Sequence, residues 1–171
     1  YTAVQKILDK DEAFMEAYRE FVPMFLCMEE LSALLRKRRK KRGAIDFDFP
    51  ESKVILDSQG HPLEIKVRER STATNIIEDF MLLANETVAK EYHDRGLPFV
   101  YRIHEEPDED KIENVLSLAR ANQIPVEKKK HKISPGEVQK ILHSLEGKAI
   151  EPMISRLILR SMQQARYATE D

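Results

Sequence analysis

Two features of this sequence could do chemistry. The first is a carboxylate, Glu78, inside the run RERSTATNIIEDFMLLANETVAKEYHDR. At about 100° per residue, Glu78 shares a stripe with Leu82, Asn85 and Ala89, whereas Asp79 falls with Glu86 on a polar outer side. A carboxylate among apolar neighbours is unusual unless it is paired or used; the plain alternative is that Glu78 edges the solvent face. The second is a run of seven consecutive cations, Arg36, Lys37, Arg38, Arg39, Lys40, Lys41 and Arg42, closed by Gly43 and followed by Phe47 and Phe49. Cations for phosphates and rings for base stacking are what a groove for single-stranded nucleic acid needs. A solvated helix end, favoured by the helix dipole, accounts for the same charges.

Other chemistry finds little support. The sequence has no glycine-rich phosphate loop, no H-E-x-x-H and no nucleophile elbow. The five histidines are scattered, and His104 reads as a hydrogen-bonded residue at a strand end. Asp46 and Asp48 lie two apart on one face of a strand, where they could hold a metal or face solvent. The lone Cys27 excludes an internal disulfide and a cysteine-rich zinc site, and favours a reducing, intracellular setting. Net charge is -2, so any affinity for nucleic acid must be local. No apolar run is long enough to span a membrane.

The elements that must position these residues are mostly helical. Arg70 to Arg95 carries the clearest signal, with Ile76, Ile77, Phe80, Met81, Ala84 and Val88 on one face, Ser71, Thr72 and Thr74 as candidate caps, and Gly96 and Pro98 as a stop. Tyr1 to Leu8 predicts a short helix with Val4, Ile7 and Leu8 inward, broken at Asp9 to Asp11. Asp11 to Lys41 predicts a long helical stretch that Pro23 either kinks or divides. Ala44 to Phe49 alternates as a strand, and Lys53 to Leu56 with Leu63 to Val67 predicts a β-hairpin. Leu97 to His104 predicts a central strand.

Beyond an acidic loop, Lys111 to Asn122 predicts a helix burying Ile112, Val115, Leu116 and Ala119. Val126 to Ile133 is a basic connection; Ser134, Pro135 and Glu137 form the signature of a capped helix start. Glu151 to Arg166 predicts a last helix with Ile154, Leu157, Ile158 and Met162 inward, after which Tyr167 to Asp171 trails away. With 171 residues and 42% hydrophobic content, the expectation is one α+β domain, a mixed and mainly antiparallel sheet packed by several helices. The chain opens on Tyr1 rather than Met, which predicts a piece of something longer.

Four stretches carry a resemblance: RKKRGAIDFDFPESKVILDSQG, IIEDFMLLANETVA, PFVYRIHEEP and LILRSMQQARY. Together they resemble the catalytic domain of the RNB family of exoribonucleases, the ribonuclease R branch more than ribonuclease II. The resemblance implies a processive, magnesium-dependent 3′-to-5′ hydrolase, cytoplasmic, that acts on the single-stranded 3′ end of RNA and releases nucleoside 5′-monophosphates, with neither a membrane nor a preference for DNA. It implies that Tyr1 packs at the bottom of the RNA channel and sets the final product length, that Phe47 stacks on a base near the 3′ end, and that Glu78 lines the active-site pocket. The run Arg36 to Arg42 has no assigned counterpart, so its role toward RNA rests on charge alone.

The resemblance also implies what this stretch leaves out. The aspartates that hold magnesium are expected before Tyr1, and the arginine motif that contacts the scissile phosphate after Asp171. The expectation is a central fragment of a single catalytic domain, inactive by itself. The competing expectation is a non-catalytic RNA-binding or scaffold module of the same fold.

Overall fold

Helix caps and apolar spacing determine where most elements begin and which faces they bury. In the computed structural model the described residues are 1–45, 49, 51–67, 70–126 and 133–169. Among them the chain forms seven helices and four strands: α1 (Thr2–Leu8), α2 (Glu12–Ala17), α3 (Val22–Arg42), β1 (Ser52–Leu56), β2 (Pro62–Val67), α4 (Thr72–Asp94), β3 (Tyr101–Ile103), α5 (Glu109–Ala121), α6 (Pro135–Leu145), α7 (Glu151–Ser161) and β4 (Arg166–Ala168). The class is α+β, and the strands pair in two separate antiparallel ladders, β1 with β2 and β3 with β4. The chain divides into two compact units, Tyr1–Arg38 with Asp48–Asn85, and Arg39–Phe47 with Glu86–Asp171.

The second unit carries the larger core. Asp108 caps α5 by accepting from the Lys111 N–H, and α5 buries Ile112, Val115, Leu116 and Ala119 as its spacing predicts. Ser134 and Glu137 close a reciprocal capping box at α6, which buries Val138, Ile141 and Leu145. From α7, Ile154 and Ile158 enter the same cluster with no exposed surface. Each such side chain contributes about 1.5–3 kcal/mol of burial. The end of α3 is fastened here too: Gln139 Nε2 donates to the Lys40 and Ala44 carbonyls at 3.2 and 3.0 Å. Gly43 permits this, because its φ is +92° and a Cβ there would sit 3.1 Å from the Gly136 nitrogen.

Two expectations for this unit fail. Leu97 to His104 is not a central strand; only Tyr101–Ile103 pairs, in a two-stranded ladder with β4. The aromatic residues that gave the segment its strand character stack instead, with Phe99 centred 4.6 Å from Tyr92 and 5.3 Å from Tyr101. Nor does the last helix reach Arg166: α7 stops at Ser161, and Arg166–Ala168 forms β4 where a loose tail was expected. The Arg166 guanidinium, 2.6 Å from Glu105, helps hold that pairing. The basic connection predicted over 126–133 lies mostly outside the described residues, as does half of the strand predicted over 44–49.

In the first unit, Asp11 caps α2, and Pro23 sits in the first turn of α3, so it marks a boundary and not a kink. Ile7 of α1 and Ala73 and Ile76 of α4 are buried. Ser71 caps α4, its Oγ accepting from the Thr74 N–H at 3.2 Å. Gln5 of α1 accepts from the Ala73 N–H at 3.0 Å, tying α1 to the start of α4. The hairpin forms as predicted, with Val54 opposite Ile65 and Lys53 opposite Lys66. Its turn is held by Asp57, whose Oδ1 accepts from the backbone N–H groups of Gln59 and His61 at 2.8 and 2.9 Å.

Candidate nucleic-acid interface

The buried side of α4 differs from the one its apolar residues predict. Ile76 is buried and Phe80 half-buried, but Ile77, Met81, Ala84 and Val88 are exposed. The buried stripe runs Ala73, Ile76, Asp79. Asp79, expected on the outer side, is 2% exposed, whereas Glu78 is exposed. The reason lies on α3. Ser32 Oγ donates to Asp79 Oδ2 at 2.6 Å, and Arg36 Nη2 reaches the same oxygen at 2.9 Å. A carboxylate with a hydroxyl donor and a cation can be buried where an unpaired one cannot. Reading α4 alone could not reveal this, because both partners lie more than forty positions earlier (|i−j| 47 and 43). Ser32 and Arg36, four apart on one face of α3, were the available signal.

The basic run accordingly divides. Arg36 is committed to Asp79, and Arg42 grips both oxygens of Glu86 at 2.9 and 3.1 Å. Arg39 is half-buried, while Lys37, Arg38, Lys40 and Lys41 are exposed. Phe47 lies outside the described residues, as do Asp46 and Asp48.

Tyr1 is placed at a cleft. An open hollow of about 900 Å³ in the first unit is lined by Tyr1, Lys6, Lys53, Lys66, Ser71 and Thr74, among others. Three lysines from three elements thus converge with an aromatic ring, a set that inspection of runs and motifs passes over. Their signal was the hairpin itself, since Lys53 and Lys66 fall opposite each other once its register is known. Glu78 follows Thr74 by one turn of α4 and is not among the residues that line the hollow.

Among the described residues no three His, Cys, Asp or Glu side chains gather as a metal site. The described part of the chain therefore does not by itself fit a magnesium ion. Among the described residues no helix is long and apolar enough to cross a membrane.

Comparison with known proteins decides the family. The RNB domain matches this chain over residues 1–171. The chain belongs to the RNB family. Among RNB relatives, ribonuclease R 1 of Lactococcus lactis is 41% identical over 168 residues, covering 98% of this chain and 21% of the relative. Ribonuclease R of Thermotoga maritima is 41% identical over 169 residues, covering 98% of the chain and 24% of the relative. The chain thus spans about a fifth to a quarter of the length of the curated relatives it matches. The RNB fold is matched by Mycoplasma genitalium RNase R in complex with ribose methylated single-stranded RNA, with a TM-score of 0.80, 25% identity, and coverage of 88% of this chain and 24% of that one. The same protein in complex with double-stranded RNA gives 0.83 at 23% identity, a likeness of fold, over 99% of this chain and 30% of that one.

Proposed function

We propose that this chain is the central part of the catalytic domain of a ribonuclease R-like 3′-to-5′ exoribonuclease, which processively hydrolyses RNA to nucleoside 5′-monophosphates in the cytoplasm. The observation that carries the reading is the RNB match over residues 1–171, joined to ribonuclease R relatives at 41% identity. In this reading the single-stranded 3′ end of RNA is the substrate. Tyr1 and Phe47 supply rings against the sugar and bases, and Glu78 presents a solvent-facing carboxylate to the reacting end. Asp79 is a positioning residue: by anchoring α4 to Ser32 and Arg36, it fixes the direction in which Glu78 points. The exposed cations Lys37, Arg38, Lys40 and Lys41 contribute a sequence-independent attraction for phosphates.

Hydrolysis of a phosphodiester needs charge stabilisation at the phosphoryl oxygens and a positioned water. Magnesium would supply the first when bound, and the described residues do not by themselves hold it. What the residues of this chain do is bind and orient: rings stack, cations neutralise, and Glu78 holds a proton acceptor beside the substrate.

The test uses the longer protein that contains this chain and a 5′-labelled single-stranded RNA. The expected result is progressive shortening from the 3′ end with release of 5′-monophosphates, abolished by EDTA and restored by magnesium. Internal cleavage, or intact RNA under all these conditions, would overturn the reading.

A further inference from the structure

We infer that Gln5 is a positioning residue: by fastening α1 to the buried start of α4, it fixes the distance between the ring of Tyr1 and the carboxylate of Glu78, and with it the point at which a strand is cut. This role rests on the exoribonuclease reading above, and falls to a residue that neither motif nor charge singles out.

The side-chain amide of Gln5 is held at both ends. Its Oε1 accepts from the Ala73 N–H at 3.0 Å, and its Nε2 donates to Asp9 Oδ1 at 2.8 Å, so the amide has one orientation. The backbone N–H of Gln5 donates to the Tyr1 carbonyl at 2.8 Å, in the first turn of α1. One residue thus ties Tyr1 to α4, and Tyr1 and Gln5 both line the hollow.

The contact on α4 has no local substitute. Ala73 is the second residue of that helix, so its N–H has no partner within it. At 3% exposure Ala73 is also shut off from water, and a buried N–H needs a partner. Ser71, the local cap, serves Thr74 and Asn75 instead. Without the Gln5 oxygen, the Ala73 N–H stays unpaired or meets water. Water enters only if α1 lifts from α4 and carries Tyr1 with it.

Glu78 stands on the same helix, about 7.5 Å further along its axis. The Tyr1 ring is 70% exposed, and among the described residues neither a hydrogen bond nor a stacked ring holds it, so its place follows α1. A strand whose last nucleotide meets Tyr1 while a bond is presented to Glu78 is cut at a position counted from the ring. Slack between α1 and α4 changes that count, and a misplacement of about 1 Å can cost on the order of a hundredfold in rate.

The experiment uses the longer protein that contains this chain and a 5′-labelled single-stranded RNA digested to completion. It compares Gln5→Leu, Gln5→Glu, Tyr1→Ala and the double variant Gln5→Leu/Tyr1→Ala, all assayed below the lowest melting temperature of the set. Gln5→Leu should lower kcat by about tenfold or more with RNA affinity unchanged, and should lengthen or blur the final labelled fragment. Gln5→Glu keeps the acceptor for Ala73 and should restore both. In the Tyr1→Ala background, Gln5→Leu should change neither, because the ring it places is gone. An unaltered final fragment in Gln5→Leu overturns the inference, even with a lowered melting temperature, since it leaves Gln5 a role in stability alone. Equal defects in Gln5→Leu and Gln5→Glu, or effects of Gln5→Leu and Tyr1→Ala that simply add, overturn it as well. Each of these results keeps the enzyme. Intact RNA or internal cleavage by the unaltered protein removes the exoribonuclease reading itself, and the role of Gln5 with it.

Discussion

Arg36 reaches from α3 to Asp79 on α4, with 2.9 Å between Nη2 and Oδ2, and the carboxylate it meets has no exposed side-chain surface. This pair fixes which side of α4 faces inward. Ser32 completes it at 2.6 Å. Removing the carboxylate strands a hydroxyl and a guanidinium that still reaches solvent, its side chain being 35% exposed. Asp79→Ala should therefore destabilise the chain by about 1.5–3 kcal/mol, the range for hydrogen bonds to charged groups. Denaturant midpoints measure this, and a shift within error of zero would contradict the pairing.

Glu78 and Asp79, adjacent in sequence, should fail in different ways. In the longer protein Glu78→Ala should lower turnover by roughly tenfold or more, equivalent to about 1.4 kcal/mol of transition-state stabilisation, with its melting temperature unchanged because the side chain is exposed. Asp79→Ala should lower the melting temperature first, and any loss of activity should follow it. Measuring kcat, RNA affinity and melting temperature for both separates the two roles. A Glu78→Ala defect explained wholly by lost folding removes that residue from the site.

The hairpin turn should be sensitive to acid. The backbone N–H groups of His61 and then Gln59 hold the Asp57 carboxyl below its ordinary value of 3.8. A carboxyl lowered on folding stabilises the folded turn above its unfolded pKa, and that contribution is lost as pH falls through the lower folded value. Amide shifts of Gln59 and His61 followed by NMR should titrate with a midpoint below 3.8. A midpoint at or above that value would mean the turn is not closed by Asp57.

Two isoleucines test the packing against the apolar pattern. Ile158 has no exposed surface, so Ile158→Ala should cost about 2–5 kcal/mol. Ile77 is 45% exposed, so Ile77→Ala should cost well under that, about 0.5 kcal/mol or less. Equal losses would restore Ile77 to the core, where its spacing alone places it.

How legible these features were depended on how local their causes are. The starts of α5 and α6 could be read because a cap and its partner lie three residues apart: Asp108 with Lys111, and Ser134 with Glu137. The buried positions of α5 and α7 followed from apolar spacing, since each packs with one apolar side. Asp79 was misplaced because its burial depends on Ser32 and Arg36, and hydrophobic periodicity is blind to a polar pair. Leu97 to His104 was overextended because aromatic residues favour strands and aromatic stacks alike. Tyr167 was read as tail because three residues are too few to show alternation. Tyr1 entered through resemblance, Glu78 through a helical stripe that the fold leaves exposed and then through resemblance, whereas the lysines of the cleft needed the hairpin register.

The ladder that joins Tyr101 to Ala168 also imposes an order on biosynthesis. Strand β3 and helix α5 leave the ribosome well before α7 and β4, whose Ile154 and Ile158 complete their shared core. At about 5–20 residues per second, the apolar side of α5 waits several seconds for its cover. The core of the second unit is therefore completed only when α7 arrives. During that interval Ile112, Val115 and Leu116 form the stretch a nascent-chain chaperone would meet, and slowing translation beyond Ala121 would lengthen their exposure rather than help the unit fold.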